Sequence, residues 1–140
     1  MSVPRPVGRF PTTQRVRKRP EFQRIQAGGR RVTTPHCVLL LYARDPDQAA
    51  AEARLGITVT RKVGTAVTRN RAKRVVREAF RATRELWPPD VDLVVIVRRA
   101  GPELTLAGVV AEWREVRPAL HRRVQEARMA REKRQSALAP

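Results

Sequence analysis

Residues 68–86 read TRNRAKRVVREAFRATREL, and this stretch leaves the chain few ways to fold. Ala72, Val75, Val76, Ala79, Phe80 and Leu86 fall at the spacing of one face of an amphipathic helix. A second stripe of Asn70, Lys73, Arg74, Arg77, Arg81 and Arg84 is almost purely cationic, offset only by Glu78 and Glu85. Such a helix must seal its apolar side against the rest of the chain and turn its cations outward. Arg69, Arg71, Lys73 and Arg74 crowd the first two turns, where the macrodipole is already positive. Each cation there costs the helix roughly a few tenths of a kcal/mol. An anionic partner reverses that sign, and the unpaired N–H groups of a first turn suit phosphate oxygens. A merely solvated charged face is the competing reading, but such faces usually carry interspersed acids.

The charge balance points the same way. The 140 residues carry 30 Lys+Arg against 13 Asp+Glu, a formal charge of +17, which implies a polyanionic partner: nucleic acid or an anionic membrane surface. The excess is regional, concentrated in residues 1–35 and 61–90, while residues 36–60 hold more acids than bases. The length fits one domain with a real core. Cys37 stands alone, which fits a reducing cytoplasm, and it reads as a packed small hydrophobe rather than a nucleophile. His36 and His121 with one cysteine do not make a zinc site. The N-terminus lacks the apolar stretch of a signal peptide, and the longest apolar run, residues 37–43, is too short to span a bilayer. A cytoplasmic protein is expected.

Taken in order, residues 1–14 hold Pro4, Pro6, Pro11 and Gly8 without periodicity and read as a disordered or draped arm. Residues 15–121 read as a single domain, opened by RVRKR leading into a short helix. Pro20 and Glu21 suit the start of that helix, Gly28-Gly29 stop it, and Phe22 and Ile25 share a face. Residues 37–43 read as a strand apolar on both sides. Asp45-Pro46-Asp47 opens a loop, and in residues 55–61 Leu55, Ile57 and Val59 alternate with Gly56, Thr58 and Thr60. Gly64 suits a turn, and Thr68 is the expected cap of the central helix, which Pro88-Pro89 terminate. Residues 91–97, VDLVVIV, form the clearest strand and belong at the sheet centre. Strand, helix, strand over this span predicts a crossover between parallel strands. Thr105 caps a last amphipathic helix through Leu106, Val109, Val110, Trp113 and Val116, which Pro118 breaks or kinks. Residues 122–140 read as a charged tail, helical or disordered.

Catalytic templates fail on this chain. Ser2 and Ser136 are its only serines, and no glycine-rich phosphate loop is present. Asp45 with Asp47, or Asp90 with Asp92, has the composition of a metal-binding pair, but the first reads as a turn and the second as the start of a strand. A binding surface remains. Thr58, Thr60, Arg61 and Lys62 give a small polar strand face ending in two cations, and Phe22 with Leu40 or Tyr42 supplies flat apolar surface. A cationic groove beside stacking platforms holds single-stranded nucleic acid. Core packing is the competing reading of Phe22.

GTAVTRNRAKRVVREAFR, residues 64–81, resembles the signature of the bacterial ribonuclease P protein subunit. The likeness lies in the Gly-x-Ala-Val lead, the triplet Arg69, Asn70 and Arg71, then Lys73, Arg74, Arg77, Ala79 and Phe80. RVRKRPEFQRI, RLGITVTRKVG and DVDLVVIVRR resemble the family's first helix and two of its strands in the right order, so the resemblance covers roughly residues 15–120. It implies an α/β (α+β) two-layer sandwich, αβββαβα, ribosomal-protein-like, with a left-handed crossover. The implied activity is ribonuclease P: removal of the 5′ leader of precursor tRNA, an endonucleolytic hydrolysis carried out by a catalytic RNA with Mg2+. The implied partners are that RNA and the leader, with no protein partner and no membrane.

Carried over by position, Arg69, Asn70, Arg71, Lys73, Arg74, Arg77 and Arg81 are expected to face the catalytic RNA. Arg17, Lys18, Phe22, Val38, Leu40, Tyr42, Thr58, Thr60, Arg61 and Lys62 are expected to line the leader cleft. No catalytic side chain and no protein metal ligand are implied. Two departures weaken stacking: Leu40 stands where the family's cleft tyrosine is expected, and Gln26 where a second aromatic is often found. Two readings compete. A ribosomal-protein-like or chaperone-like RNA-binding module requires the same basic surface without cleavage. A membrane-surface protein requires the apolar side of the central helix to be free.

Overall fold

The structure is a computed structural model that describes residues 15–16, 19–46 and 52–138. The elements follow in the order α1 (Arg19–Gly28), β1 (Arg30–Thr33), β2 (Cys37–Ala43), β3 (Arg54–Val59), α2 (Ala66–Ala82), β4 (Val91–Val97), α3 (Leu106–Glu115) and α4 (Arg117–Leu138). The sheet order is β1-β2-β4-β3. Both pairings of β2 are antiparallel, while β3 and β4 run parallel, joined by α2 as the expected crossover. The two inner strands are those whose sequences are apolar on both sides. β2 is buried throughout, and β4 is buried except at half-exposed Ile96.

The strand alternation sorts side chains into two cores. Leu39, Leu41, Leu55, Leu93, Val95 and Val97 pack with α2, α3 and α4 in the larger one. Val38, Leu40, Tyr42 and Val94 face the other way, against Ile25 and Phe22 of α1. In α2 the sealed face is Ala72, Val76, Ala79 and Phe80, all buried. Two of the four are alanines, so the helix backbone lies close on the sheet. Phe80 stacks on Trp87 at 6.0 Å between ring centroids, and Trp87 meets Trp113 edge-on at 5.5 Å.

Several local expectations need correction. The cap of α2 is Thr65, one turn before Thr68, and its side chain accepts the Thr68 N–H at 3.2 Å. Gly64, at φ +153°, makes the preceding turn possible, in a region that side chains rarely adopt. The helix ends at Ala82 rather than continuing to Leu86. The Thr83 hydroxyl bonds back to the Ala79 carbonyl at 2.7 Å and accepts the Trp87 indole N–H at 3.0 Å, and residues 84–86 tighten into a 3-10 turn. Strand β1 carries no apolar run and has no signal of its own; it forms because Arg30–Thr33 pairs in register with residues 38–41.

Thr105 caps α3 as expected, accepting the Gly108 N–H at 3.0 Å. The break before α4 falls at Val116, and Pro118 then occupies the second position of α4, where its missing N–H costs nothing. From there the helix runs to Leu138, burying Leu120 and Val124 in the larger core and Ala127 one turn further on. Its later turns are tied down by charge. Arg128 and Arg131 hold Asp90, and Arg134 holds Asp45 and the Ala43 carbonyl.

Candidate nucleic-acid interface

The cations of α2 begin at a helix end without a carboxylate in its first turn. Among the described residues, Arg69, Lys73, Arg74 and Arg77 make no ion pair, and most of the acids are committed elsewhere. Asp92 is held by Arg44 and Arg54, Asp90 by Arg128 and Arg131, Asp45 by Arg134, and Glu85 by Arg114. Arg77 is half-buried. Burial, and the neighbouring charges of Arg15, Arg81 and Arg74, depress its pKa. Four guanidinium groups so close repel one another in the free protein.

Two members of the expected set are not simply presented. Arg71 turns away from the stripe and donates to the Gly101 and Leu104 carbonyls at 3.1 and 2.8 Å, tying α2 to the loop before α3. Arg81 pairs with Glu78 at 3.3 Å. Asn70 is exposed.

The second face of the sheet holds several of the residues expected to line a cleft. Strand register sets its side chains in rows: Gly56, Val94 and Leu40, then Thr58, Ile96 and Val38. Helix α1 lies over the first row, with the Phe22 ring against Gly56 and Ile25 buried beside Leu40. In the next row Thr58 and Ile96 are half-exposed and Val38 is 9% exposed. Thr60 follows, exposed, and Arg61 and Lys62 project from a 3-10 turn at the strand end. Of the expected residues, Phe22, Val38 and Thr58 thus share this face, and Thr60, Arg61 and Lys62 follow at the end of β3.

Leu40 and Tyr42 do not serve as stacking platforms. Each is 4% exposed, Leu40 beneath the α1 end and Tyr42 beneath the Arg134 guanidinium, 4.5 Å from its ring centroid. Arg17 and Lys18 lie outside the described residues. A groove of about 160 Å³, lined by Arg15, Val16, Phe22, Gly56, Lys73 and Arg77 among others, joins the cleft to the cationic stripe. Arg15 reaches it because the Val16 N–H donates to the Leu55 carbonyl, which holds residues 15–16 along the edge of β3.

Arg15 and Ile96 were not singled out from the sequence. The alternation of VDLVVIV puts Ile96 on the α1 side with Val94, a signal that was there to use; the placement of Arg15 has no local signal.

The remaining chemistry is structural. Burial pushes the Cys37 thiol up to about 12, so it is an inert core group. His36 Nδ1 lies 2.5 Å from Glu112 Oε2, joining the β1–β2 turn to α3. No helix of the described residues is long and apolar enough to cross a membrane. The apolar face of α2 is consumed by the core, which removes what a membrane-surface reading requires.

Comparison with known proteins agrees with this geometry. The family model for ribonuclease P matches residues 10–131. The ribonuclease P protein component of Gluconacetobacter diazotrophicus is 43% identical over 101 residues, covering 71% of this chain and 84% of that one. That of Desulfatibacillum aliphaticivorans is 45% identical over 87 residues, covering 62% and 70%. The solved RNase P protein of Staphylococcus aureus superposes with a TM-score of 0.59 at 30% identity, covering 74% of this chain and 91% of that one. That of Thermotoga maritima gives 0.54 at 32% identity, covering 79% and 96%.

Proposed function

The chain belongs to the ribonuclease P protein family, and on that premise we propose that it is the protein subunit of a ribonuclease P that matures the 5′ end of tRNA. The cationic face of α2 docks on the catalytic RNA, and the cleft beside α1 receives the leader of precursor tRNA. The observation that carries this reading is a division within one helix. Among the described residues, Arg69, Lys73, Arg74 and Arg77 have no carboxylate partner, while Ala72, Val76, Ala79 and Phe80 are sealed in the core.

The division of labour follows from the chemistry of the groups. Phosphodiester hydrolysis needs activation of a water and stabilisation of charge on the leaving oxygen, and the RNA partner's magnesium ions supply both. The described carboxylates are a poor fit for such ions: Asp45, Asp90 and Asp92 already neutralise arginines. No His/Cys/Asp/Glu cluster among the described residues has the makings of a metal site. The chain's own part is to bind and orient. Cations on α2 replace the counterions of the RNA backbone. Phe22 offers one ring edge, the Val38–Ile96–Thr58 row an apolar and hydroxyl floor, and Arg61 and Lys62 two phosphate contacts at its end. With one ring in place of several, leader grip rests on charge more than on stacking. The work is cytoplasmic.

The test is reconstitution with a bacterial catalytic RNA and precursor tRNA at low magnesium. A single cut at the leader junction, at a rate well above that of RNA alone, is the expected result. No gain over RNA alone overturns the proposal, and equal affinity for ribosomal RNA fragments returns the chain to the class of general RNA-binding modules.

A further inference from the structure

The leader cleft is only as well defined as the helix that walls it, and α1 is ten residues long with Ile25 as its one buried residue. A helix so short is marginal by itself, and tertiary ties must set its position. At one end Glu21 binds Arg54 at 2.6 Å, and Arg54 in turn binds buried Asp92. At the other end α1 rests on Tyr42. A Cβ added to Gly28 would lie 3.7 Å from Tyr42 Cε1, and the Arg24 guanidinium approaches the Tyr42 hydroxyl.

Tyr42 is itself held from a distant part of the chain. The Arg134 guanidinium, near the end of α4, lies 4.5 Å from its ring centroid, in the range of a cation–π contact. The same guanidinium donates to the Ala43 carbonyl at 2.8 Å and to Asp45 at 3.1 Å, which fixes its orientation over the ring. Arg128 and Arg131, gripping Asp90 and the Arg44 carbonyl, bring this turn of α4 to the sheet end. The seat of α1 is therefore built by Tyr42 of β2 and Arg134 of α4, more than ninety residues apart in sequence.

We propose that Arg134 is a positioning residue for leader recognition: by clamping Tyr42 it fixes the end of α1 and so the width of the cleft beside the Val38–Ile96–Thr58 row. The inference rests on the leader reading of that cleft. It assigns the last turns of α4 a role in substrate discrimination without direct contact with the reacting phosphate.

The experiment uses the full chain assembled with catalytic RNA, in wild-type form and as Arg134→Gln and Arg134→Lys. Precursor tRNA with a full leader is compared with the same substrate trimmed to a one-nucleotide leader. Arg134→Gln should raise KM for the full leader about three- to tenfold, the range expected for losing one cation–π contact and its hydrogen bonds. Its kcat and its handling of the trimmed substrate should be unchanged, and Arg134→Lys should recover most of the loss. Tyr42, the only tyrosine of the chain, gives a separate readout: its ring resonances should move in Arg134→Gln and return toward wild type in Arg134→Lys. Equal losses on both substrates, no loss on either, or a loss that lysine does not restore overturns the inference. If the wild type does not discriminate between the two substrates, the leader reading itself fails, and this inference falls with it.

Discussion

The Phe22 ring rests on the backbone of Gly56 so closely that an added Cβ would stand 2.8 Å from two of its carbons and 3.1 Å from Val16 Cβ. The absence of a side chain at Gly56 is what lets α1 dock at this height over β3. Gly56→Ala should therefore destabilise the protein by about 1–3 kcal/mol through overpacking. Phe22→Ala in the same chain should remove most of that penalty. A urea-unfolding double-mutant cycle measures the coupling, and additive effects would mean that the two residues do not share this contact.

Arg71 separates from its neighbours in the Arg-Asn-Arg triplet. Its two hydrogen bonds to the Gly101 and Leu104 carbonyls join α2 to the loop before α3. Arg71→Ala should lower stability by roughly 1 kcal/mol, the net worth of an ordinary hydrogen bond, since solvent at this exposed site weakens the advantage of a charged donor. Arg69→Ala and Lys73→Ala should leave the melting temperature nearly unchanged while lowering the salt dependence of RNA binding by about 0.7–0.9 per lost phosphate contact. Thermal melts paired with titrations at several salt concentrations distinguish the two behaviours.

The elements that a reader of the sequence can place are those whose periodicity is imposed by burial on known sides. VDLVVIV announces a central strand, and Ala72, Val76, Ala79 and Phe80 announce the sealed side of α2. What stays hidden depends on partners far away in the chain. Strand β1 has no pattern because it pairs at one edge only with β2, and Arg71 looks like any other basic residue until its carbonyl acceptors are in place. Tyr42 reads as a stacking platform from its place in the strand. Only the fold brings Arg134 over it, from a segment whose composition suggests a charged tail, helical or disordered. The start of α2 is ambiguous in the sequence for a local reason: Thr65 and Thr68 are both competent caps, and the turn at Gly64 places the cap at Thr65.

Phe80 is 3% exposed and stacks on Trp87 inside the larger core. Phe80→Ala should cost about 3–5 kcal/mol by opening a cavity between α2 and the sheet. RNA affinity, measured well below the lowered melting temperature, should be close to wild type, since the cations lie on the opposite side of the helix. A large loss of affinity with stability intact would contradict that separation.

Acid should loosen α4 from its far end. The Asp90 carboxyl is held below the ordinary carboxylate value chiefly by hydrogen bonds from Arg128, with Arg131 adding to the effect. A depressed pKa means the stabilisation is fully present above the unfolded value, near 3.8, and is lost as pH falls through the lower folded value. Amide exchange in residues 128–138 should accelerate over that acid window ahead of exchange in β2 and β4. Asp90→Asn should show the same acceleration already at neutral pH.

Arg77 offers the sharpest separation of stability from binding. Its pKa is depressed by burial and by the charges of Arg15, Arg81 and Arg74, so its charge is less well accommodated in the free protein than in water. Replacing it with a neutral residue removes a repulsion and no ion pair. Arg77→Gln should therefore leave the free protein as stable as wild type or slightly more so, and added salt, which screens like charges, should stabilise wild type more than the variant. RNA binding should move the opposite way, weaker for Arg77→Gln and most clearly at low salt, where a lost phosphate contact counts most. Chemical denaturation at two salt concentrations and RNA titration under the same conditions give both halves. A variant that unfolds more readily at low salt would mean that Arg77 supports the core rather than waiting for a phosphate.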